Sequence, residues 1–363
     1  MLMKLWMIVA GVLLLVTLYL VAWPVPVTPV AWQAPDNPGY TGDFAANSEL
    51  SSLETLTLEG RDGPEDLAMD QQGRIYAGVK DGTILRIIPG GKVERWAETS
   101  GRPLGLGFDS KDNLLVADAY RGLLSFDPSG RKTVLADQVD GQPLVYANAV
   151  DEGPDGTLYF SESSVKFGAE ASGGTYEASL LDLMEHGGHG RLLAFDPATG
   201  EVRELVNGLN FANGVAVSHD GRSVLVNETG GYRVLRYWLE GDKAGTVDVV
   251  IDNLPGFPDN LSKGQNGRYW IGLASPRSTA LDKLSDKPFL RTVAQRLPPA
   301  MRPKAQRYGH VVAFDDNGNI VRNLQDELGR FAFTTGVLET DEYLYLSSLM
   351  EQQIGRVRKV RRD

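Results

Sequence analysis

The chain has 363 residues, no cysteine and a formal net charge of −11. With 42% hydrophobic and 23% charged residues it has the composition of a folded protein rather than a disordered one. Disulfides and thiol chemistry are excluded, and the acidic balance argues against nucleic acid as a partner, since nucleic acid selects basic stripes.

The first element is an uncharged run of 19 residues, Leu5 to Trp23, "LWMIVAGVLLLVTLYLVAW". At about 1.5 Å per residue, a helix of this length crosses a hydrocarbon core of about 30 Å. Lys4 precedes the run, and no Lys or Arg follows until Arg61. The positive-inside rule then places the N-terminus in the cytoplasm and the remainder on the periplasmic or extracytoplasmic side. Trp6, Tyr19 and Trp23 suit the two interfaces. The alternative is a cleaved signal peptide. Its apolar core would be shorter and followed by a small-x-small site, whereas this run exits into "PVPVTPVAW". Residues 1–23 are therefore expected to form a single-pass anchor, 24–50 a flexible tether rich in Pro, Ala, Asn and Gly, and 51–363 the folded domain.

Six copies of one pattern follow. A polar turn leads into a short apolar strand in "DQQGRIYAG", "DSKDNLLVAD", "EGPDGTLYFSE", "SHDGRSVLVNE", "KGQNGRYWIGL" and "ETDEYLYLSS". A further strand follows each, as in "RGLLSFDPSG", and a polar-alternating one follows five of them, as in "KVERWAE". Each copy also opens with an apolar strand such as "LGLGFD". Four strands in each of six units predict an all-β, six-bladed β-propeller behind an N-terminal transmembrane helix. The last unit lacks an outer strand, and "LETLTLEG" before the first unit is spare, so it is expected to close the ring and remove the exposed edges. The final run, "RVRKVRRD", reads as a strand and its tip.

Two insertions interrupt the repeat, at about 165–190 and 275–308. In the first, residues 175–186 have the pattern of an amphipathic helix and are expected to lid the channel. The second, apolar and basic over 279–307, would shape the pocket, lie on an anionic membrane or form a solvated helical pair.

Eight residues before the turn markers Gly73, Asn113, Gly156, Gly221, Gly267 and Glu342 stand Glu65, Gly105, Asn148, Asn213, Asp259 and Thr334. Equivalent positions in a propeller converge on the central channel. Two carboxylates and two amide oxygens form a hard donor set that suits Ca²⁺, which takes six to eight oxygens in flexible geometry. Asp66 and Asn260 are neighbours that could add ligands or orient them. Gly105 and Thr334 leave one side of the ion open to substrate. The alternative is that these groups only hydrogen-bond water and one another. Asp259 is the candidate general base. His186 and His189, at the end of the first insertion, are candidate proton shuttles. His219 is expected in an exposed turn, and His310 in a structural role.

The stretches "FANGVAVSHDGRSVLVNETGGYRVLRYWLEG" and "LPGFPDNLSKGQNGRYWIGL" resemble the strictosidine synthase-like group, and within it the adipocyte plasma membrane-associated proteins and their bacterial relatives. More broadly the chain is similar to the gluconolactonase/regucalcin and paraoxonase proteins. That resemblance implies a six-bladed propeller holding a catalytic calcium, with activity on lactones, aryl esters or organophosphates. It matches Glu65 in "GPED", Asn148 in "YANAVD", Asn213 in "FANGV" and Asp259 in "FPDN" to the metal set. Asn260 is matched through the paraoxonase Asp-Asn pair. Where the plant synthases carry the glutamate of their condensation reaction, this chain reads "AFTTGVLET", with Thr334 or Thr335 at that place. No counterpart of the paraoxonase histidine pair is evident. The expectation is a membrane-anchored, calcium-dependent hydrolase of small-molecule esters or lactones. The alternatives are a non-catalytic ligand- or protein-binding propeller with a structural metal and, against the threonines, a condensing synthase.

Overall fold

In every repeat the apolar run behind the polar turn becomes the second strand of a four-stranded antiparallel sheet. The computed structural model describes residues 2–359. From the axis outward, the third blade is Ala147–Glu152, Leu158–Glu162, Gly190–Asp196 and Glu201–Leu209. The fourth is Ala212–Val217, Ser223–Glu228, Arg233–Trp238 and Val247–Ile251. The inner strands of the other blades are Leu67–Met69, Pro103–Phe108, Gly256–Lys263 and Thr334–Glu339. The spare strand closes the ring as expected. Glu54–Thr57 pairs antiparallel with Gln353–Arg358, with Glu54 opposite Arg356 and Thr57 opposite Gln353. The tip of the C-terminal basic run, residues 360–363, lies outside the described residues.

The core is divided among the blade interfaces. Phe160 and Leu193 of blade three pack on Leu115 and Leu123 of blade two. Leu225 and Val234 of blade four pack on Ile271 and Phe314 of blade five. Such side chains contribute roughly 1.5–3 kcal/mol each on burial, so the ring is held together blade against blade. The outer strands Val93–Glu98 and Glu201–Leu209 consist almost wholly of half-buried and exposed positions, as their polar composition requires.

Helix α1, Leu2–Ala22, carries no charge after Lys4 and contains no buried residue, meeting the rest of the protein only near its C-terminal end. Helix α2, Thr175–Glu185, forms in the first insertion. The second insertion, between strands Tyr269–Pro276 and Gly309–Phe314, holds α3, Thr279–Lys283, and α4, Pro288–Arg296. Ser278 caps α3 by accepting from Leu281 N, and Pro288 starts α4 where no N–H is needed.

The segment 24–50 departs from the expected tether, because it is docked along its length. Thr28 N donates to Glu185 Oε2 at 2.6 Å, Val30 N to Glu185 O at 2.8 Å, and Trp32 N to Ser285 O at 3.1 Å. Val27 is buried with Tyr146, Phe167 and Met184 beneath the lid. Leu50 N donates to Gln325 O at 3.0 Å on the outer edge of blade five. The prolines that gave this segment a linker composition keep it extended, and its few apolar side chains and free N–H groups find partners on both insertions.

Candidate functional site

The site is built by one backbone device used five times. In five inner strands the pairing with the second strand slips, so that two residues oppose one. The displaced pairs are Leu104–Gly105, Asn148–Ala149, Asn213–Gly214, Asp259–Asn260 and Thr335–Gly336. Such a bulge bends the strand and re-aims its side chains. In the first blade Glu65 and Asp66 occupy the same place just ahead of Leu67–Met69, with Glu65 N donating to Gly78 O at 3.4 Å. The blades meet tightly here. A Cβ on Gly214 would lie 2.2 Å from Leu261 N, and one on Gly105 would lie 2.5 Å from Ala149 Cα.

This register corrects two expectations. The counterparts of Asn148 and Asn213 are Leu104 and Thr335, not Gly105 and Thr334. The reason lies in the turns. The left-handed residue equivalent to Gly73 and Gly221 is Asp112, at φ 65°, one place before the marker Asn113. The turn of blade six, around Thr340 and Tyr343, has no glycine at all.

Glu65, Asn148, Asn213 and Asp259, drawn from four blades, line a single cavity of about 810 Å³ of atom-free space, its mouth included. All four are buried, as is Asn260. The amides are oriented. Asn148 Nδ2 donates to Ser163 Oγ at 2.8 Å, Asn213 Nδ2 to Thr229 Oγ1 at 3.1 Å, and Asn260 Nδ2 to Glu65 O at 2.8 Å. With their N–H groups held, the carbonyl ends are left over. Asn148 Oδ1, Asn213 Oδ1, Asn260 Oδ1 and Glu65 Oε2 are buried without a hydrogen-bond partner. Each such atom costs about 1–3 kcal/mol unless something satisfies it.

Electrostatics point the same way. Burial raises the Glu65 carboxyl to about 7, an effect that the Arg102 guanidinium and the Asn260 amide only partly offset. Burial and the neighbouring Glu65 raise Asp66 to about 8. Asp259 is pushed well above its ordinary range by burial and then by Glu65, with the Asn213 amide acting against the shift. Arg102, itself buried, donates to Gly63 O at 3.0 Å, so its charge is shared. A bound cation would stabilise the ionised carboxylates and satisfy the unpaired oxygens together. Among the described residues no group of three or more His, Cys, Asp or Glu has metal-holding geometry. The donor set here draws its remaining oxygens from amides, which fits Ca²⁺ rather than a nitrogen- or sulfur-seeking ion.

Two predicted residues fall elsewhere. His186 is the left-handed C-cap of α2, at φ 52°, and stacks on Trp32 with centroids 3.8 Å apart. Burial and the Arg291 charge lower its pKa to about 3. His189 Nε2 meets Glu185 Oε1 at 2.7 Å. Neither lines the cavity, so the expected proton-shuttle role is not met. The end of α2 turns both rings toward the docked segment and the α2 carboxylate. His219 lies in its exposed turn, and His310 is buried against Asn323 with its pKa lowered to about 4 by burial.

Sequence reasoning missed the aromatic collar. Tyr146, Phe211 and Phe257 line the cavity, each two residues before a candidate ligand. The spacing aromatic-x-(Asn/Asp) in "YAN", "FAN" and "FPD" was the available signal. Tyr146 and Phe211 meet edge to face at 5.3 Å, and Phe211 sits at φ 65°, a strained conformation for a non-glycine residue. The lid contributes Tyr176, Leu180 and Leu183 from α2, and the second insertion contributes Leu281 and Lys304. Tyr146 Oη donates to Thr175 O at 2.8 Å, tying the collar to the first residue of the lid helix.

The chain is similar to known proteins in sequence and in fold. The family descriptions "Strictosidine synthase-like, N-terminal" and "Strictosidine synthase" match residues 42–87 and 148–242. Strictosidine synthase-like protein 6 of Arabidopsis thaliana is 35% identical over 317 residues, covering 85% of this chain and 82% of that one. The adipocyte plasma membrane-associated protein of Rattus norvegicus is 31% identical, covering 92% of this chain and 93% of that one. Among solved structures, a gluconolactonase from Xanthomonas campestris superposes with a TM-score of 0.61 at 16% identity, covering 92% and 98% of the two chains. The calcium-binding protein regucalcin from Agrobacterium tumefaciens gives 0.57 at 16% identity, covering 84% and 93%. These two likenesses speak to the fold. With relatives above 30% identity aligned over most of both chains, the protein belongs to the strictosidine synthase-like family.

Proposed function

We propose that the protein is a membrane-anchored, calcium-dependent hydrolase of carboxylic esters or lactones, with its N-terminus cytoplasmic and its propeller outside. The observation that carries this reading is that Glu65, Asn148 and Asn213, which line one largely apolar cavity, each leave a buried oxygen without a partner among the described residues, as does Asn260 behind them. Glu65, Asn148, Asn213, Asp259 and Asn260 would hold the cation. Bound calcium would polarise a substrate carbonyl and acidify water. Tyr146, Phe211 and Phe257 would grip the apolar part of the substrate and exclude bulk water. Leu104, on the side of the ring without a polar donor, leaves room for the reacting group. Asp259 would take the proton of the attacking water; a carboxylate held by calcium is a weak base, which suits activated esters and lactones. The calcium-binding regucalcin and the gluconolactonase of the same fold lend support.

A binding propeller with a structural metal is the second reading. It is favoured by the cavity lining, which carries no histidine. A condensing synthase is disfavoured, because Thr335 donates to Glu65 O at 2.5 Å and offers no carboxylate. The test is turnover of phenyl acetate, p-nitrophenyl esters and γ- and δ-lactones, before and after EDTA and after calcium is restored. EDTA-sensitive, calcium-restored hydrolysis is expected. Calcium binding without turnover of any of them would leave the binding propeller.

A further inference from the structure

Helix α1 does not end free of the domain. Arg296, the last residue of α4, is buried and wraps the helix terminus. Its Nε donates to Trp23 O at 2.5 Å and its Nη1 to Leu20 O at 2.9 Å, while Tyr19 Oη donates to Arg296 O at 3.0 Å. The 21 residues of α1 span about 32 Å at 1.5 Å per residue, close to the thickness of a hydrocarbon core. Tyr19 and Trp23, whose rings lie 5.7 Å apart, then sit at headgroup level, where such aromatics concentrate. The C-terminal end of α4 is held at the same depth by these bonds.

The rest of the insertion presents side chains that suit that depth. Phe289, Leu290 and Met301 are 57%, 44% and 66% exposed. Phe289 and Leu290 lie within about two turns of Arg296, roughly 10 Å along α4. Residues 279–307 carry seven basic and two acidic side chains, a net +5 in a chain of net −11. Lys283, Lys287 and Lys304 are exposed in the same insertion. Exposed apolar side chains and exposed lysines in one insertion, joined to the end of a membrane-length helix, form a surface complementary to an anionic bilayer.

We propose that the outer face of the second insertion is a second membrane contact, in which Phe289, Leu290 and Met301 enter the headgroup layer of an anionic bilayer. The cavity rim includes Pro303, Lys304 and Ala305, so this contact sets the mouth of the cavity against the lipid surface. The contact rests on α1 spanning the membrane, and it is independent of whether the cavity performs hydrolysis.

The chain contains no cysteine, so single-site spin labels report without background. The full chain would be placed in nanodiscs containing phosphatidylglycerol and labelled singly as Leu13→Cys, Phe289→Cys, Met301→Cys and Val247→Cys. Val247, 42% exposed, starts the outer strand of blade four at the end away from the cavity. The expected result is a severalfold higher ratio of oxygen to nickel-chelate accessibility at 289 and 301 than at 247, with position 13 higher still. Aqueous readings at 289 and 301 beside a lipid reading at 13 would overturn the proposal. An aqueous reading at 13 would overturn the anchor itself. Shielding of 289 and 301 from both probes would mean that a protein covers this face, and the proposal would fall. An unchanged ratio in purely phosphatidylcholine discs would overturn the choice of an anionic surface.

Discussion

Thr229 Oγ1 accepts from Asn213 Nδ2 at 3.1 Å and donates to Pro258 O at 2.7 Å, so one hydroxyl both aims a candidate ligand and clips blade four to blade five. Ser163 does the same one blade earlier, accepting from Asn148 Nδ2 at 2.8 Å and donating to Ala212 O at 2.7 Å. Thr229→Val should therefore act on the metal through Asn213. Calcium affinity is expected to fall roughly 10–100-fold, the usual cost of losing an orienting partner. Stability should fall by about 1–3 kcal/mol for the stranded Pro258 carbonyl. Calorimetric titration with calcium, beside urea unfolding in EDTA, separates the two effects. An unchanged affinity would remove Thr229 from the site.

The two carboxylate candidates should behave oppositely with and without the ion. Without a cation, Glu65 and Asp259 are buried acids held close together, so Glu65→Gln and Asp259→Asn should leave the melting temperature in EDTA unchanged or higher. With calcium the wild type should gain stability and the variants should gain little, because the ion stabilises only the state that binds it. Melting curves with EDTA and with millimolar calcium test this. Equal calcium shifts in wild type and variants would sink the assignment.

The metal-free protein should lose stability as pH rises. Glu65 and Asp66 are raised in the folded state, to about 7 and about 8, above their ordinary values of 4.5 and 3.8. The folded protein therefore binds more protons than the unfolded chain between those limits. The stabilisation is complete below about pH 4 and is lost as pH rises through 7 to 8. Saturating calcium should remove the share due to Glu65 and Asp66, while Asp182 on α2, raised to about 7 by burial and outside the cation set, keeps a smaller decline. On the acid side the buried His310 works in the other direction. Its pKa is lowered to about 4 from 6.5, so its stabilisation is complete above 6.5 and is lost as pH falls toward 4. Denaturant midpoints across pH 4–9, with EDTA and with calcium, read both slopes.

Gly214 is needed for packing as well as for its bulge. Gly214→Ala drives a methyl group against the Leu261 backbone, at 2.2 Å before any relaxation. Blades four and five must part, at a cost of about 3 kcal/mol, the upper part of the range for overpacking. Chemical denaturation measures this. A loss under 1 kcal/mol would show that the axis is looser than these distances imply.

The histidines give a contrast within one assay. His189→Ala should change esterase turnover less than about 2-fold, because the ring touches Glu185 and lies off the cavity. Asp259→Asn should lower turnover by a factor of about 100 or more, on the scale of positioned acid–base groups. A large loss in kcat for His189→Ala with normal calcium binding would return that residue to the chemistry.

The repeat made the architecture legible, because a period-two strand behind a polar turn is a local signal and six copies of it admit few folds. The spare strand Glu54–Thr57 and its partner Gln353–Arg358 could be paired from the sequence for the same reason: an unpaired edge is costly wherever it occurs. Convergence at the axis was also legible, since Glu65, Asn148, Asn213 and Asp259 hold equivalent places in their units. Three features depended on the tertiary structure. The turns of blades two and six, which lack the glycine of the others, hid the register by one residue, exchanging Gly105 and Thr334 for Leu104 and Thr335, because hydrogen-bond pairing and not distance along the chain sets a strand's register. The partners of the amide nitrogens, Ser163 and Thr229, lie 15 and 16 residues from Asn148 and Asn213, just past the end of the neighbouring strand, and only that pairing makes the oxygens the free ends. The docking of residues 24–50 and the stacking of His186 on Trp32 were decided by contacts between segments more than a hundred residues apart, as in Val30 with Glu185, whereas His189 is held by Glu185 four residues before it. No local pattern encodes which backbone groups such segments will satisfy.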